Sequence, residues 1–179
     1  MQLIQTGKYS RVHFDAARDL FIKTFQPKRF DRLRYLLRIR PYPGRNFSLV
    51  AARLEALGIA TPTIVEARPY RLVTKNIHGV ALRERILDSP ALQDQYLDAL
   101  IAFDRHGIHC RGLHTGNFLV RDETLFAIDL DAYKLPRLVR YSRREYLDCL
   151  SRSLAGDEAF LFTRLLDRLG LDEQYRPRP

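Results

Sequence analysis

Cysteine, acidic residues and long apolar runs are scarce in this chain, and each scarcity removes a class of protein. Two cysteines, Cys110 and Cys149, in 179 residues are too few for a disulfide framework, so a reducing, cytoplasmic setting is expected. No stretch stays apolar for the length that a membrane span requires. The opening MQLIQTGKYS lacks the basic region, apolar core and small-residue cleavage site of a secretion signal, and none is expected. No internal repeat or low-complexity tract interrupts the sequence, which argues against a solenoid or a disordered array. What remains is 46% hydrophobic, enough for one packed domain or two closely joined lobes.

The shortage of acids leaves a formal charge of +9, and it is unevenly spread. Between Pro27 and Arg45 stand seven cations (Lys28, Arg29, Arg32, Arg34, Arg38, Arg40 and Arg45) against one acid, Asp31. Such a field favours anionic partners: nucleotide phosphates, phosphorylated sugars, anionic lipid or nucleic acid. A solvated basic helix face accounts for the same residues. No aromatic platform or reading motif accompanies the charge, which argues against nucleic acid.

Hydrophobic periodicity divides the chain into a sheet-rich and a helix-rich half. YSRVHF (9–14) and DLFIKTF (19–25) read as a hairpin. Residues 28–40 place Phe30, Leu33, Leu36 and Leu37 on one side at helical spacing. PYPGR then breaks the chain, and residues 46–57 predict a helix with Phe47, Val50, Ala51, Leu54 and Leu57 on one face and Gly58 as its stop. TIVEA (63–67) and YRLVTK (70–75) read as two further strands. NIHG (76–79) is a connector, followed by helical patterns over 81–87 and 90–105. GIHCRGLHTG is a loop, FLVRD and TLFAIDL are a strand pair, and helices over about 141–154 and 157–169 close the chain. The expected architecture is α+β, with a short hinge between the halves.

Three residues stand out chemically. Lys23 lies mid-strand among apolar neighbours; it reads either as an exposed strand residue or as a cation aimed into a cleft to hold phosphate. The preceding TGKYSR contains one glycine, Gly7, so it is neither G-x-G-x-x-G nor a P-loop. Asn117 at the mouth of one strand and Asp129 at the end of its neighbour can converge on one hard cation. Asp131, two residues on, would point the same way if the strand continued. Either residue alone is more simply a turn former, and it is the spacing of the two that points to a site. His106, His109, Cys110 and His114 fall close together, but their spacing matches no usual zinc pattern. His114 reads more simply as a partner for the loop backbone. Cys149 in YLDCL reads as a core residue.

The order LFIKTF, a helix ending LGIATP, YRLVTKNIHG, LHTGNFLV and AIDLD resembles the protein-kinase-like fold. Within it, residues 7 to 155 resemble the bacterial lipopolysaccharide core heptose and Kdo kinases, a group that includes small "toluene tolerance" relatives. The resemblance implies a single domain over 1–179, with an N-terminal lobe of sheet plus one helix (1–75), a hinge (76–79) and a helical C-terminal lobe (80–179). It implies an ATP- and Mg²⁺-dependent phosphotransferase. Lys23 would contact the α- and β-phosphates, and Thr74, Lys75, Asn76 and Ile77 would line the adenine. Asn117 and Asp129 would hold the metal, with Asp129-Leu130-Asp131 in the place of the kinase Asp-Phe-Gly motif. The acceptor would be an anionic lipopolysaccharide-core sugar or a membrane-associated molecule, and residues 28–45 would meet either that anionic substrate or the inner membrane face.

The departures from that pattern are specific. A kinase places its catalytic aspartate five residues before the metal-binding asparagine, and counting back from Asn117 gives Gly112, in the triplet Cys110-Arg111-Gly112. Glycine accepts no proton. The helix over 46–57 has no mid-helix glutamate to pair with Lys23, since Glu55 is its only acid and lies near the end. Phosphoryl transfer rests mainly on positioning and charge stabilisation, so losing the base leaves a slow enzyme rather than none. Asp131 or His114 would then be the substitute, alongside Asp129 in the catalytic set. The alternative is a pseudokinase, a nucleotide-binding or regulatory scaffold of envelope biogenesis.

Overall fold

Five antiparallel strands, in the order β1-β2-β3-β5-β4, form the first sheet of a computed structural model. The structure describes residues 1–110, 112–136 and 142–178. The strands are β1 (Gln2–Thr6), β2 (Ser10–Asp15), β3 (Leu20–Phe25), β4 (Ile64–Arg68) and β5 (Arg71–Lys75). The β2–β3 hairpin forms where the alternation predicts it. β1 was not legible: every one of its residues is exposed, so this edge strand carries no buried alternation to read. Lys23 stands on β3, opposite Val12 on one side and Leu72 on the other. Cross-strand partners share a face, and Leu72 belongs to the main core; Lys23 therefore starts from the inner side of the sheet.

Two helices, not one, accompany this sheet. α1 (Arg29–Leu36) comes from the basic segment and buries no residue. α2 (Pro43–Glu55) begins three residues earlier than its periodicity indicates. Pro43 is a helix starter because its missing N–H is one that the first turn leaves unpaired anyway. Gly44 follows because a Cβ there would collide with the Arg68 carbonyl. Phe47, Val50, Ala51 and Leu54 are the buried stripe of α2, each large member contributing about 1.5–3 kcal/mol by leaving water.

The second half holds a three-stranded sheet of β6 (Val80–Ala81), β7 (Phe118–Arg121) and β8 (Thr124–Ala127), with helices α3 (Pro90–His106), α4 (Arg143–Ser153) and α5 (Ala159–Leu169). The expected helix over 81–87 is instead a single 3-10 turn at Leu82–Glu84. β6 draws its start into the sheet, and Ser89-Pro90 starts a new helix, with the Leu92 N–H donating to Ser89 Oγ. Tyr141, where the next helix was expected to begin, lies outside the described residues; Ser142 caps α4. One core cluster runs from α2 and Leu72 through α3, β7 and β8 to α4 and α5. Cys149 is only partly buried, and it is Cys110 that belongs to this core. None of the described helices is long and apolar enough to cross a membrane.

Candidate functional site

Lys23 and the Asp129-Leu130-Asp131 turn meet across the two halves. The ammonium donates to Asp129 Oδ1 at 3.0 Å and to Asp131 Oδ1 at 2.8 Å. The lysine reading as an exposed strand residue is thereby set aside, since its side chain is 17% exposed. Burial works against its charge, but Asp131 and then Asp129 outweigh it and raise its pKa above the ordinary value. Burial dominates at Asp131, whose carboxyl is held above the usual range although Lys23 pulls it down. Of the pair, the lysine is the firmly charged member and Asp131 the one nearer to taking a proton.

The turn itself departs from expectation. β8 ends at Ala127, and Asp129 adopts the left-handed conformation (φ 57°, ψ 34°) before a 3-10 turn over Leu130–Ala132. The two carboxylates therefore share a partner because the chain turns, not because a strand continues. Left-handed geometry is uncommon outside glycine, although aspartate is among its more tolerant residues. The segment is held from α2: Asn46 Nδ2 donates to the carbonyls of Asp131 at 3.1 Å and Tyr133 at 2.8 Å. α2 thus grips the turn through an asparagine, while Glu55 accepts from the Thr61 hydroxyl at 2.9 Å and serves the helix end.

Asn117 reaches the same place through the β7–β8 hairpin. Phe118 pairs with Ala127, and one step further the Ile128 N–H donates to the Asn117 carbonyl at 2.9 Å. That bond sets Asn117 beside the residue preceding Asp129. Its side-chain amide donates to the Gly112 carbonyl, which leaves Oδ1 as a free acceptor among the described residues. Asn117 Oδ1 and the half-exposed Asp129 carboxylate are hard oxygen donors. No trio of His, Cys, Asp or Glu able to hold a metal occurs among the described residues. A cation here would draw its remaining ligands from phosphate and water, the habit of Mg²⁺; the donor set fits that ion.

The loop before Asn117 is tied down from two sides. Tyr96 on α3 donates its buried hydroxyl to the Leu113 carbonyl at 2.6 Å, and Thr115 donates to Glu158 at 2.5 Å. Arg111 lies outside the described residues. At Gly112, an ideal Cβ would stand 3.4 Å from Asn117 Nδ2 and 3.8 Å from His114 Nε2, ordinary contact distances. Among the described residues His114 makes no side-chain hydrogen bond to the loop backbone; its ring flanks the space that a side chain at 112 would enter. Across the loop, Arg83 lies over Gly116, where any Cβ would collide with its guanidinium. Arg83 is exposed and has no acidic partner among the described residues. Burial pushes the Cys110 thiol up to about 11, which makes it a poor nucleophile.

The connector is less open than expected. Thr74 is buried and paired within the sheet. The Lys75 and Asn76 N–H groups are spent on the carbonyls of Thr63 (2.9 Å) and Asp19 (3.1 Å). The Asn76 side chain donates to Asp19, which also bonds His78 at 2.6 Å; the Asn76 amide is the main cause holding the Asp19 carboxyl below its usual range. Among the described residues nothing accepts from the Ile77 N–H, so of these four positions it retains the free backbone donor. Asn46, Arg83, Tyr96 and Thr115 escaped the sequence reading, because each acts through a partner distant along the chain.

No protein-family model and no curated protein matches the chain. Among solved structures it is similar to the Rio2 kinase–ADP/Mg²⁺–phosphoaspartate complex from Chaetomium thermophilum, with a TM-score of 0.55 and 16% identity. The alignment covers all of this chain and 59% of that one, so the chain spans well under the whole length of its neighbour. At this identity the likeness is one of fold: the chain has an α+β, protein-kinase-like two-lobed fold of small size.

Proposed function

We propose that this chain is a phosphotransferase-like protein that binds ATP with Mg²⁺ and serves a hydroxyl acceptor on an anionic sugar, of the kind found in lipopolysaccharide core. The observation that carries the reading is the meeting of Lys23 with Asp129 and Asp131, with Asn117 hydrogen-bonded beside them. The ADP and Mg²⁺ of the solved neighbour support the same ligand class. Bound metal would supply charge neutralisation between phosphate oxygens. Asn117 and Asp129 would hold it. Lys23 would share its ammonium with the phosphates, with Asp131 as the fixed counter-charge that keeps it oriented. The Ile77 N–H is the donor left for an adenine edge. His114, whose ring flanks the space at Gly112, would take the hydroxyl proton. The binding step is tested by titrating ATP with and without Mg²⁺: binding should depend on the metal and fall at least tenfold in Asp129→Asn. Metal-independent binding unchanged by that variant would sink the reading.

Arg83 supports the acceptor class. A charge-assisted hydrogen bond to phosphate or carboxylate contributes about 1.5–3 kcal/mol, equivalent to about 10- to 100-fold in affinity. Arg83→Ala is therefore expected to raise KM for an anionic acceptor by that factor and to leave ATP affinity unchanged. Equal losses for charged and neutral acceptors would remove Arg83 from this role. A second reading, a nucleotide-binding scaffold, is favoured by one observation: residue 112 offers no carboxylate.

A further inference from the structure

α1 is amphipathic, and its apolar side faces away from the protein. Phe30, Leu33, Leu36 and Leu37, with Ile39 just beyond, are 49–71% exposed. The side turned inward carries Tyr35, whose ring lies 5.5 Å from Tyr42 and 6.3 Å from Tyr70, and Asp31, which pairs with Arg34 at 3.7 Å. Lys28 is fastened over the Tyr9 ring. A helix settled on its own protein would show the reverse arrangement. Around the apolar stripe, Arg29, Arg32, Arg38, Arg40 and Arg45 are exposed with no acidic partner among the described residues. The only acid of the segment is the inward-facing Asp31.

We propose that α1 is a docking helix for an anionic lipid bilayer, with Phe30, Leu33, Leu36 and Leu37 entering between headgroups while the flanking arginines meet lipid phosphates. Apolar insertion and a basic rim are the two signals that together give stable interfacial binding, where either alone is weak. Charge decides against the other occupants. A second copy meeting α1 through a two-fold contact would bring the same unpaired arginines face to face. Nucleic acid would use the arginines but leaves the leucines in water and finds on α1 a single exposed ring, Phe30, on which to stack a base. This inference does not depend on the phosphotransferase reading.

The test is flotation of the full chain with phosphatidylcholine vesicles, with and without phosphatidylglycerol. The chain should float only with the anionic lipid, and less so as salt rises. Leu33→Ser with Leu36→Ser, and separately Arg32→Glu with Arg38→Glu, should each lower partitioning by about tenfold or more. All four positions are on the outward or flanking surface of α1, so thermal unfolding should match the parent and ATP binding serves as a control. The chain contains no tryptophan, so Phe30→Trp is a unique reporter whose emission should shift to the blue on anionic vesicles. Loss in the arginine variant with none in the leucine variant would overturn insertion. So would Leu-dependent self-association in sedimentation velocity without vesicle binding, or RNA binding that ignores the leucine changes.

Discussion

Replacing Gly112 with aspartate should raise phosphoryl transfer by about 10²–10⁴-fold, the usual worth of a positioned general base. The backbone at Gly112 does not require glycine: its φ lies outside the left-handed range, and the nearest atoms to an added Cβ, on Asn117 and His114, stand at ordinary contact distance. Asn117 already donates to the Gly112 carbonyl, so the loop that would carry the new carboxylate is fixed before the substitution. Tyr96 and Thr115 hold its flanks. ATP affinity should stay constant, because the gain belongs to the proton and not to the nucleotide. Gly112→Ala controls for the steric change, and a gain no larger than that of alanine would count against a missing base. If parent and Gly112→Asp both bind ATP but neither transfers phosphate, the scaffold reading prevails. In the parent, His114→Ala should remove the residual rate; an unchanged rate would take His114 out of the mechanism.

Lys23→Met should cost up to about 3–5 kcal/mol of stability near neutral pH, the upper range being that for breaking a fully buried ion pair from one side, whereas this pair is part-buried. The value belongs mainly to Asp131, whose side chain is 17% exposed, and little to Asp129, which is 52% exposed and well solvated. For a chain of this length it corresponds to a fall in Tm of about 10 °C. The pH dependence has a definite sign. The folded-state pKa of Asp131 is raised, mainly by burial. Such a group favours folding at pH below its unfolded pKa, and this contribution disappears as pH rises through the folded value. Removing Lys23 takes away the largest attraction opposing burial and moves Asp131 higher still. The penalty of Lys23→Met should therefore be largest near neutral pH and smaller at mildly acidic pH, as Asp131 takes up a proton. Lys23 is raised too, so its own contribution holds through neutral pH and fades only as pH rises past its elevated folded value. Urea unfolding at both pH values measures the difference. Asp131→Asn added to Lys23→Met should restore most of the loss, and a penalty independent of pH and of Asp131 would show that packing, not charge, is at stake.

Local pattern carried the fold a long way. The β2–β3 hairpin, the stripe of α2 and the helical runs of α3 and α5 were legible because alternation and helical spacing report burial directly. That Asn117 and the residue preceding Asp129 lie side by side was legible because only a short hairpin separates them, and its register aligns them. β1 failed for lack of any buried residue, and the 81–87 segment failed because its backbone went to a sheet partner distant in sequence.

The sequence by itself determined which residues had the chemistry: a lysine in an apolar strand, hard oxygen donors at a strand pair, a glycine five residues before Asn117, and a basic stretch with an apolar stripe. Tertiary structure alone decided what they meet. Lys23 finds its carboxylates 106 and 108 residues away, Asn46 grips the same turn from 85 and 87 residues before it, and Arg83 settles over Gly116. Periodicity likewise defines the apolar stripe of α1 but not its direction; the packing of Tyr35 against Tyr42 and Tyr70 turns the leucines outward. The physical reason is the same in each case. Helical and strand periods are written within a few neighbouring residues, whereas ion pairs, clamps and exposed faces depend on which distant surfaces the chain brings together.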